Sequence, residues 1–91
     1  MAAQFDMDKI EFPLKLRHWK KGDKFKPLGM KGSKLLSDFF NDLGFSEYQK
    51  RNVWIMEDSN GLILWVVGYR INDKVKILDS TKVIFQCDLE S

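Results

Sequence analysis

The sequence predicts a small, layered α+β domain, in which about five or six strands form a β-sandwich or a partly open barrel beside two helices. Three observations support this fold class: several segments alternate between apolar and polar residues, one segment is strongly amphipathic with helical spacing, and Asn60-Gly61 separates two apolar runs. The 91 residues, 44% of them hydrophobic, are enough for one domain with a modest core. We therefore expect residues 1–91 to form a single domain.

The first predicted strand covers residues 9–17, where apolar and polar residues alternate. A period of two residues predicts a half-buried strand, and Pro13 places that strand at a sheet edge or a bulge because proline donates no backbone hydrogen bond. The residues expected on its inward face are Ile10, Phe12, Leu14 and Leu16.

Two helices are predicted in the middle of the chain. Ser33 has the character of an N-cap and Gly44 that of a C′ residue, which predicts a helix over residues 34–43. Ser46 and Gln49 have the spacing of a capping box, which predicts a short second helix ending near Arg51. The apolar arc of the first helix contains Leu35, Leu36, Phe39, Phe40 and Leu43.

The second half of the chain reads as strands. Residues 53–57 and 62–67 flank Asn60-Gly61, a strong signal for a β-hairpin. The segment 62–67 has no polar face, so we expect a central strand that is covered on both sides. After a bend at Gly68, three further strands are predicted over residues 69–71, 74–78 and 81–89.

Charge is strongly segregated along the chain. Residues 15–34 hold eight of the 15 basic residues and one of the 13 acidic residues, Asp23. A glycine-rich loop that enters a helix at Ser33 would present backbone amides and lysines to phosphate groups. This segment predicts a polyanion partner, and a basic loop that binds an acidic protein is the alternative. Its basic residues are Lys15, Arg17, Lys20, Lys21, Lys24, Lys26, Lys31 and Lys34.

The sequence gives little support to a metal site, a catalytic site or a membrane-spanning segment. The single cysteine, Cys87, forms no internal disulfide, which indicates a reducing, cytoplasmic compartment, and no apolar run approaches membrane-spanning length. His18 and Cys87 lack the spacing of metal ligands, and Cys87 is expected as a buried, inert thiol. Asp38 and Asp42 lie one helical turn apart, but a solvated face with a Lys34–Asp38 pair explains them better than acid–base catalysis.

Aromatic residues are interleaved with the basic ones. Trp19 is the best candidate to stack on an unpaired base, although packing against the predicted helix is the favoured interpretation. Phe25 and Trp65 are expected in the core.

Residues 19–40, with Gly-Asp-Lys followed by Pro-Leu-Gly, further lysines and Leu-Ser-Asp, together with Arg51 and the apolar hairpin at residues 61–71, are similar to a known family. They resemble the C-terminal domain of bacterial tRNA(Ile)-lysidine synthetase. The resemblance covers roughly residues 15–77. It implies a fold similar to a domain of the phenylalanyl-tRNA synthetase β chain.

The resemblance also implies a function. The family's enzymes use ATP and Mg²⁺ to join lysine to C2 of the wobble cytidine of an isoleucine tRNA with the anticodon CAU. Their Ser-Gly-Gly-x-Asp-Ser loop for ATP is absent from this sequence. The chain is therefore expected to be a fragment of a longer enzyme, without cofactor or activity of its own. Its expected partners are the catalytic N-terminal domain and the acceptor-stem side of the tRNA, with no membrane.

Site residues follow from the resemblance position by position. Five basic residues match the family's basic positions, and Lys26 is added because it lies beside them. The predicted nucleic-acid-binding set is Lys24, Lys26, Lys31, Lys34, Arg51 and Arg70. The residues predicted to organise the loop are Gly22, Asp23, Gly29, Gly32 and Asp38, the last by bonding loop amides or Arg51.

Overall fold

The fold is described from a computed structural model covering residues 1–90, which form eight short strands, two α-helices and two 3-10 turns. The helices are α1 (Leu36–Asp42) and α2 (Glu47–Asn52), and the 3-10 turns are Met7–Lys9 and Asp73–Val75. The strands are β1 (Ala2–Asp6), β2 (Lys15–Arg17), β3 (Lys24–Phe25), β4 (Lys34–Leu35), β5 (Ile55–Glu57), β6 (Ile63–Val66), β7 (Arg70–Ile71) and β8 (Ile84–Asp88). The predicted α+β class is confirmed.

The strands form three antiparallel units. Four of them make the central sheet in the order β2-β5-β6-β7, while β1 pairs with β8 and β3 pairs with β4. The β1–β8 ribbon joins the two ends of the described chain, with Phe5 opposite Phe85. The β3–β4 pair brings Lys24 opposite Leu35 and Phe25 opposite Lys34.

Apolar clusters cover both faces of the central sheet, which explains why β6 is fully buried. Ile63 and Val66 of β6 pack with α1 on one side, where Phe39 and Phe40 are the largest contributors. Leu64 and Trp65 pack on the other side against the ribbon, chiefly Phe5. The result is a layered domain of helices, sheet and ribbon, as the unbroken apolar run at residues 62–67 predicts.

Two local predictions are confirmed in detail. Ser46 accepts a hydrogen bond from the Gln49 amide, and the Gln49 side chain accepts one from the Ser46 amide, so the capping box of α2 is complete. At the end of α1, Gly44 has a φ of +71° and the Phe45 amide donates to the Phe40 carbonyl. This is a Schellman motif, and the rings of Phe40 and Phe45 stack at 4.9 Å across it.

The beginning of α1 differs from the prediction. The helix starts at Leu36, its N-cap is Leu35, and no side chain caps it. Ser33 is not the N-cap, because Lys34 and Leu35 instead continue as strand β4 against Lys24 and Phe25. Pairing with a strand ten residues earlier is a tertiary effect that local capping signals do not report.

The first predicted strand is also only partly correct. Residues 7–9 form a 3-10 turn, the bond before Pro13 is cis, and only Lys15–Arg17 forms a strand. Of the residues expected on its inward face, Ile10 is buried, whereas Phe12 and Leu16 are about half exposed. Strand β1, which lies before this segment, is absent from the sequence prediction.

The region after β7 departs from the predicted strand at residues 74–78. Residues 73–75 form a 3-10 turn, capped by the side chain of Asn72, which accepts a hydrogen bond from the Lys74 amide. Val75 is buried, whereas Ile77 is exposed. The last predicted strand exists as β8, shortened to Ile84–Asp88, and Cys87 is half-buried on it.

Candidate nucleic-acid interface

The basic loop, residues 19–34, is fixed at its start by an ion pair. Arg17 on β2 donates hydrogen bonds to both carboxylate oxygens of Asp23, at 2.8 and 3.1 Å. Asp23 also accepts from the Lys20 amide at 2.8 Å, and its backbone carbonyl accepts from the Leu36 amide. One residue thus joins the loop's first turn to the beginning of α1.

Arg17 connects the same loop to the central sheet. Its Nε lies 3.1 Å from Oε2 of Glu57 on the neighbouring strand β5, and Lys15 lies 3.1 Å from the other carboxylate oxygen. Burial alone would raise the pKa of Glu57, but the ion pairs with Lys15 and Arg17 outweigh burial and hold that pKa below its ordinary value. Burial would likewise raise the pKa of Asp23, but the hydrogen bonds from Arg17 and the Lys20 amide outweigh burial and lower that pKa.

The middle of the loop is fixed by Asp73, which follows β7. Its carboxylate accepts from the Gly29 amide at 3.1 Å and pairs with Lys26 at 3.3 Å and Lys76 at 3.1 Å. The Gly29 bond and these two lysines lower the pKa of Asp73 to about 2. Backbone bonds continue the contact, since the Asp73 amide donates to the Lys26 carbonyl.

Gly29 allows the middle of the loop to form a tight turn. Gly29 has a φ of +86°, and the Met30 amide donates to the Pro27 carbonyl, so residues 27–30 form a tight turn with glycine at its third position. The turn aims the Gly29 amide at Asp73. Gly22 also has a positive φ, whereas Gly32 does not.

Trp19 acts as a packing residue. Its ring contacts Phe40 edge-on at 5.2 Å, and its Nε1 donates to the Lys50 carbonyl at 2.8 Å. The entry to the loop is therefore tied to both helices. Of the two interpretations left open by the sequence, packing is correct for Trp19.

Half of the eight basic residues in segment 15–34 form ion pairs with acids of the same chain. Lys15 and Arg17 pair with Glu57, Lys26 with Asp73, and Lys34 with Asp42. The predicted Lys34–Asp38 pair is wrong, because Lys34 lies on β4 and reaches Asp42 instead. The lysines for which residues 1–90 supply no carboxylate within 4.0 Å are Lys20, Lys21, Lys24 and Lys31.

The two arginines of the predicted binding set differ in environment. Arg51 is exposed at the end of α2 and has no ion-pair partner within the part of the chain that the structure describes. Arg70 is half-buried on β7, with its guanidinium 5.5 Å from the centre of the Phe39 ring. That cation–π contact fixes Arg70 near the face where Phe25 packs on Phe39.

Two expectations about the loop are not met. The amides of residues 32–34 do not form a helix N-terminus, because α1 begins later and the Leu36 amide is already bonded to Asp23. Asp38 is exposed and, within residues 1–90, accepts no hydrogen bond from Arg51 or a loop amide. Asp23 and Asp73 make the bonds that were expected of Asp38.

Sequence reasoning missed Asp73 and Glu57 as partners of the loop. Both lie more than 20 residues from the loop in sequence, beyond the reach of local patterns. A signal for Glu57 existed, because a carboxylate inside an otherwise apolar strand segment is rarely buried without a cationic partner. Glu57 is buried and paired with Lys15 and Arg17.

The described residues give little support to a metal site, a reactive thiol or a membrane-spanning helix. No group of three His, Cys, Asp or Glu side chains in residues 1–90 is placed to hold a metal ion. Burial, helped by the neighbouring Asp88, raises the pKa of the Cys87 thiol, which disfavours the reactive thiolate. Within the same residues, neither helix has the length and apolarity needed to cross a bilayer.

Comparison with known proteins identifies a family for this chain. The family model described as "TilS substrate C-terminal domain" matches residues 14–86. A tRNA(Ile)-lysidine synthase from Parabacteroides distasonis is 50% identical over 80 residues, which are 88% of this chain and 18% of that protein. One from Clostridium tetani is 41% identical over 86 residues, or 94% of this chain and 18% of that protein. The chain thus spans about a fifth of the length of these relatives.

Solved structures with the same fold belong to two groups of proteins. A crystal structure of a TilS C-terminal domain superposes with a TM-score of 0.80 at 24% identity, covering 93% of this chain and 65% of that one. An N-terminal fragment of the phenylalanyl-tRNA synthetase β-subunit from Pyrococcus horikoshii gives 0.78 at 25% identity, covering 93% and 26%. The predicted likeness of fold to both is confirmed.

Proposed function

The chain belongs to the family of TilS substrate C-terminal domains, and from this premise we propose that it binds transfer RNA as one domain of a longer tRNA(Ile)-lysidine synthase. Within that enzyme it binds the acceptor-stem side of the isoleucine tRNA with the CAU anticodon. The catalytic domain joins lysine to the wobble cytidine, using ATP and Mg²⁺ that this domain does not bind. The site of action is the cytoplasm, where tRNA is modified.

The observation that carries the proposal is a set of unneutralised lysines on a fixed loop. Lys20, Lys21, Lys24 and Lys31 are exposed and have no carboxylate partner among residues 1–90. The loop that bears them is held by Asp23 and Asp73. Because the loop is already ordered before binding, little conformational entropy is lost when its lysines bind a row of phosphates.

The mechanism is phosphate binding combined with recognition of helix shape. A-form RNA exposes a wide, shallow minor groove flanked by phosphates, and proteins recognise it largely through its geometry. Lys24 and Lys31 approach the backbone, while Arg51 extends the positive surface across α2. Arg70 is held on Phe39 and contributes charge at the edge of this surface. Lys26 and Lys34 act mainly within the protein, since Asp73 and Asp42 already pair with them.

The test is a binding titration of the 91-residue chain with isoleucine tRNA at several salt concentrations. Release of counterions from about four to six phosphates gives a log–log slope of roughly −3 to −5. A non-cognate tRNA measured alongside separates general phosphate binding from selection of the isoleucine tRNA. Equal affinity at low and high salt, or no binding, would overturn the proposal and favour the protein-interaction alternative.

A further inference from the structure

An exposed pair of stacked rings lies beside the start of the basic loop. The rings of His18 and Trp54 stack with centroids 4.2 Å apart and planes 24° from parallel. His18 is exposed, and Trp54 is 45% exposed. An exposed aromatic ring backed by a second flat ring is the kind of surface on which nucleobases stack, because every base has a π-face.

His18 of this pair also lines a small groove. The groove, about 300 Å³ in volume, is lined by His18, Trp19, Glu47, Lys50 and Arg51. His18 lines the groove and Trp54 does not, and the His18 ring stacks on Trp54. Trp19 is occupied by Phe40 and the Lys50 carbonyl, which leaves His18 as the ring available for stacking.

The charge of the groove suits a phosphate next to the stacked base. Arg51 is exposed and has no acidic partner within residues 1–90, and Lys20 follows directly after Trp19. The one acid in the groove, Glu47, is paired with Lys50 at 3.8 Å. Among the residues that line the groove, the two cations Lys50 and Arg51 exceed the one acid.

We propose that the groove beside the His18–Trp54 pair binds one unpaired nucleotide of the RNA, with its base stacked on His18 and its phosphate on Arg51. The inference rests on the proposed function and adds a subsite for single-stranded RNA to a surface that otherwise binds a duplex. Trp54 is a positioning residue, because it holds the His18 ring and does not touch the base.

Two RNA hairpins with the same stem test this subsite, one blunt and one with a four-nucleotide 3′ overhang. We expect the overhang to strengthen binding of the 91-residue chain about tenfold, the gain typical of one stacked base. His18→Ala and Trp54→Ala should remove that gain and leave the affinity for the blunt hairpin unchanged. His18→Phe should retain it, since a phenyl ring also stacks.

The overhang also provides a direct optical readout. A 2-aminopurine at its first position should lose fluorescence on binding the original chain and keep it with His18→Ala. Phe12→Ala is the matched control, because Phe12 is 46% exposed and lies beside the other end of β5, where the Ser59 amide donates to the Glu11 carbonyl. It should change neither measurement.

The outcomes separate the two proposals. Equal affinity for the two hairpins, with salt-dependent binding of both, overturns the nucleotide subsite and leaves the proposed function standing. Loss of binding to the blunt hairpin in His18→Ala also overturns it, because the ring would then act on the duplex or on the fold. Failure of the chain to bind either hairpin overturns both.

Discussion

Arg17 and Asp23 form a two-pronged ion pair, with both Asp23 oxygens accepting from the guanidinium at 2.8 and 3.1 Å. Because Arg17 also reaches Glu57 on β5, one side chain joins the basic loop to the central sheet. Asp23 holds the pKa of Arg17 above its ordinary value, and the guanidinium stays charged throughout. Asp23 is thus one of the two acids, with Asp73, that fix the loop on which the unpaired lysines lie.

Replacing Asp23 by Asn should destabilise the protein. The amide keeps the shape but loses the charge, so Arg17 retains only Glu57 as an anionic partner and the Lys20 amide keeps a weaker acceptor. We expect a loss of about 1–3 kcal/mol in the free energy of unfolding, measured by urea titration.

Asp38→Asn is the matched control for that measurement. Asp38 is exposed and has no hydrogen-bond partner within the described chain, so its substitution should change stability by less than about 0.5 kcal/mol. Equal losses in the two variants would contradict the role assigned to Asp23.

The lysines of the basic loop should divide into two classes. Lys24→Gln and Lys31→Gln each remove one uncompensated charge, so each should weaken tRNA binding and make the log–log salt slope shallower by about 0.7 to 0.9. Lys26→Gln should change the slope less and stability more, because Lys26 is paired with Asp73. A larger slope change for Lys26 than for Lys24 would contradict this division.

Acid should weaken the fold through Asp73. Its pKa is about 2 in the folded protein against an ordinary 3.8, so its contribution is complete above about pH 5 and is lost progressively as pH falls toward 2 and below. The urea midpoint should therefore fall over this interval. Asp73→Asn should flatten the fall without abolishing it, because Asp23 and Glu57 also have lowered pKa values.

The end of α1 should depend on Gly44. Alanine there meets no atom within 4 Å but must adopt a φ of +71°, which costs about 1 kcal/mol or somewhat more. We expect a matching fall in the free energy of unfolding for Gly44→Ala. Gly32→Ala is the control, because Gly32 has open space and no positive φ, and it should be neutral or slightly stabilising.

The sequence predicts well those structural features that depend on a few neighbouring residues. The capping box of Ser46 and Gln49, the glycine at the end of α1 and the hairpin around Asn60-Gly61 each depend on contacts over short sequence distances. The burial of β6 also followed from its unbroken apolar run. Local geometry and hydrophobicity determine such elements in most contexts.

Features that depend on distant partners were predicted poorly. Strand β1 exists because it pairs with β8, more than 75 residues later, and its alternation alone was too weak to be recognised. The segment at residues 74–78 has the alternation of a strand, but the Asn72 side chain caps a 3-10 turn there instead. The start of α1 moved because Lys34 and Leu35 pair with β3.

The sequence by itself determined the fold class, the positions of both helices, the central strand, the family and the concentration of positive charge in residues 15–34. Only the tertiary structure decided which of those charges are available. Lys26 and Arg17 are paired with acids that lie 47 and 40 positions away, Asp73 and Glu57. Composition counts charges along the chain, whereas ion pairing depends on distances that are set only after the strands assemble.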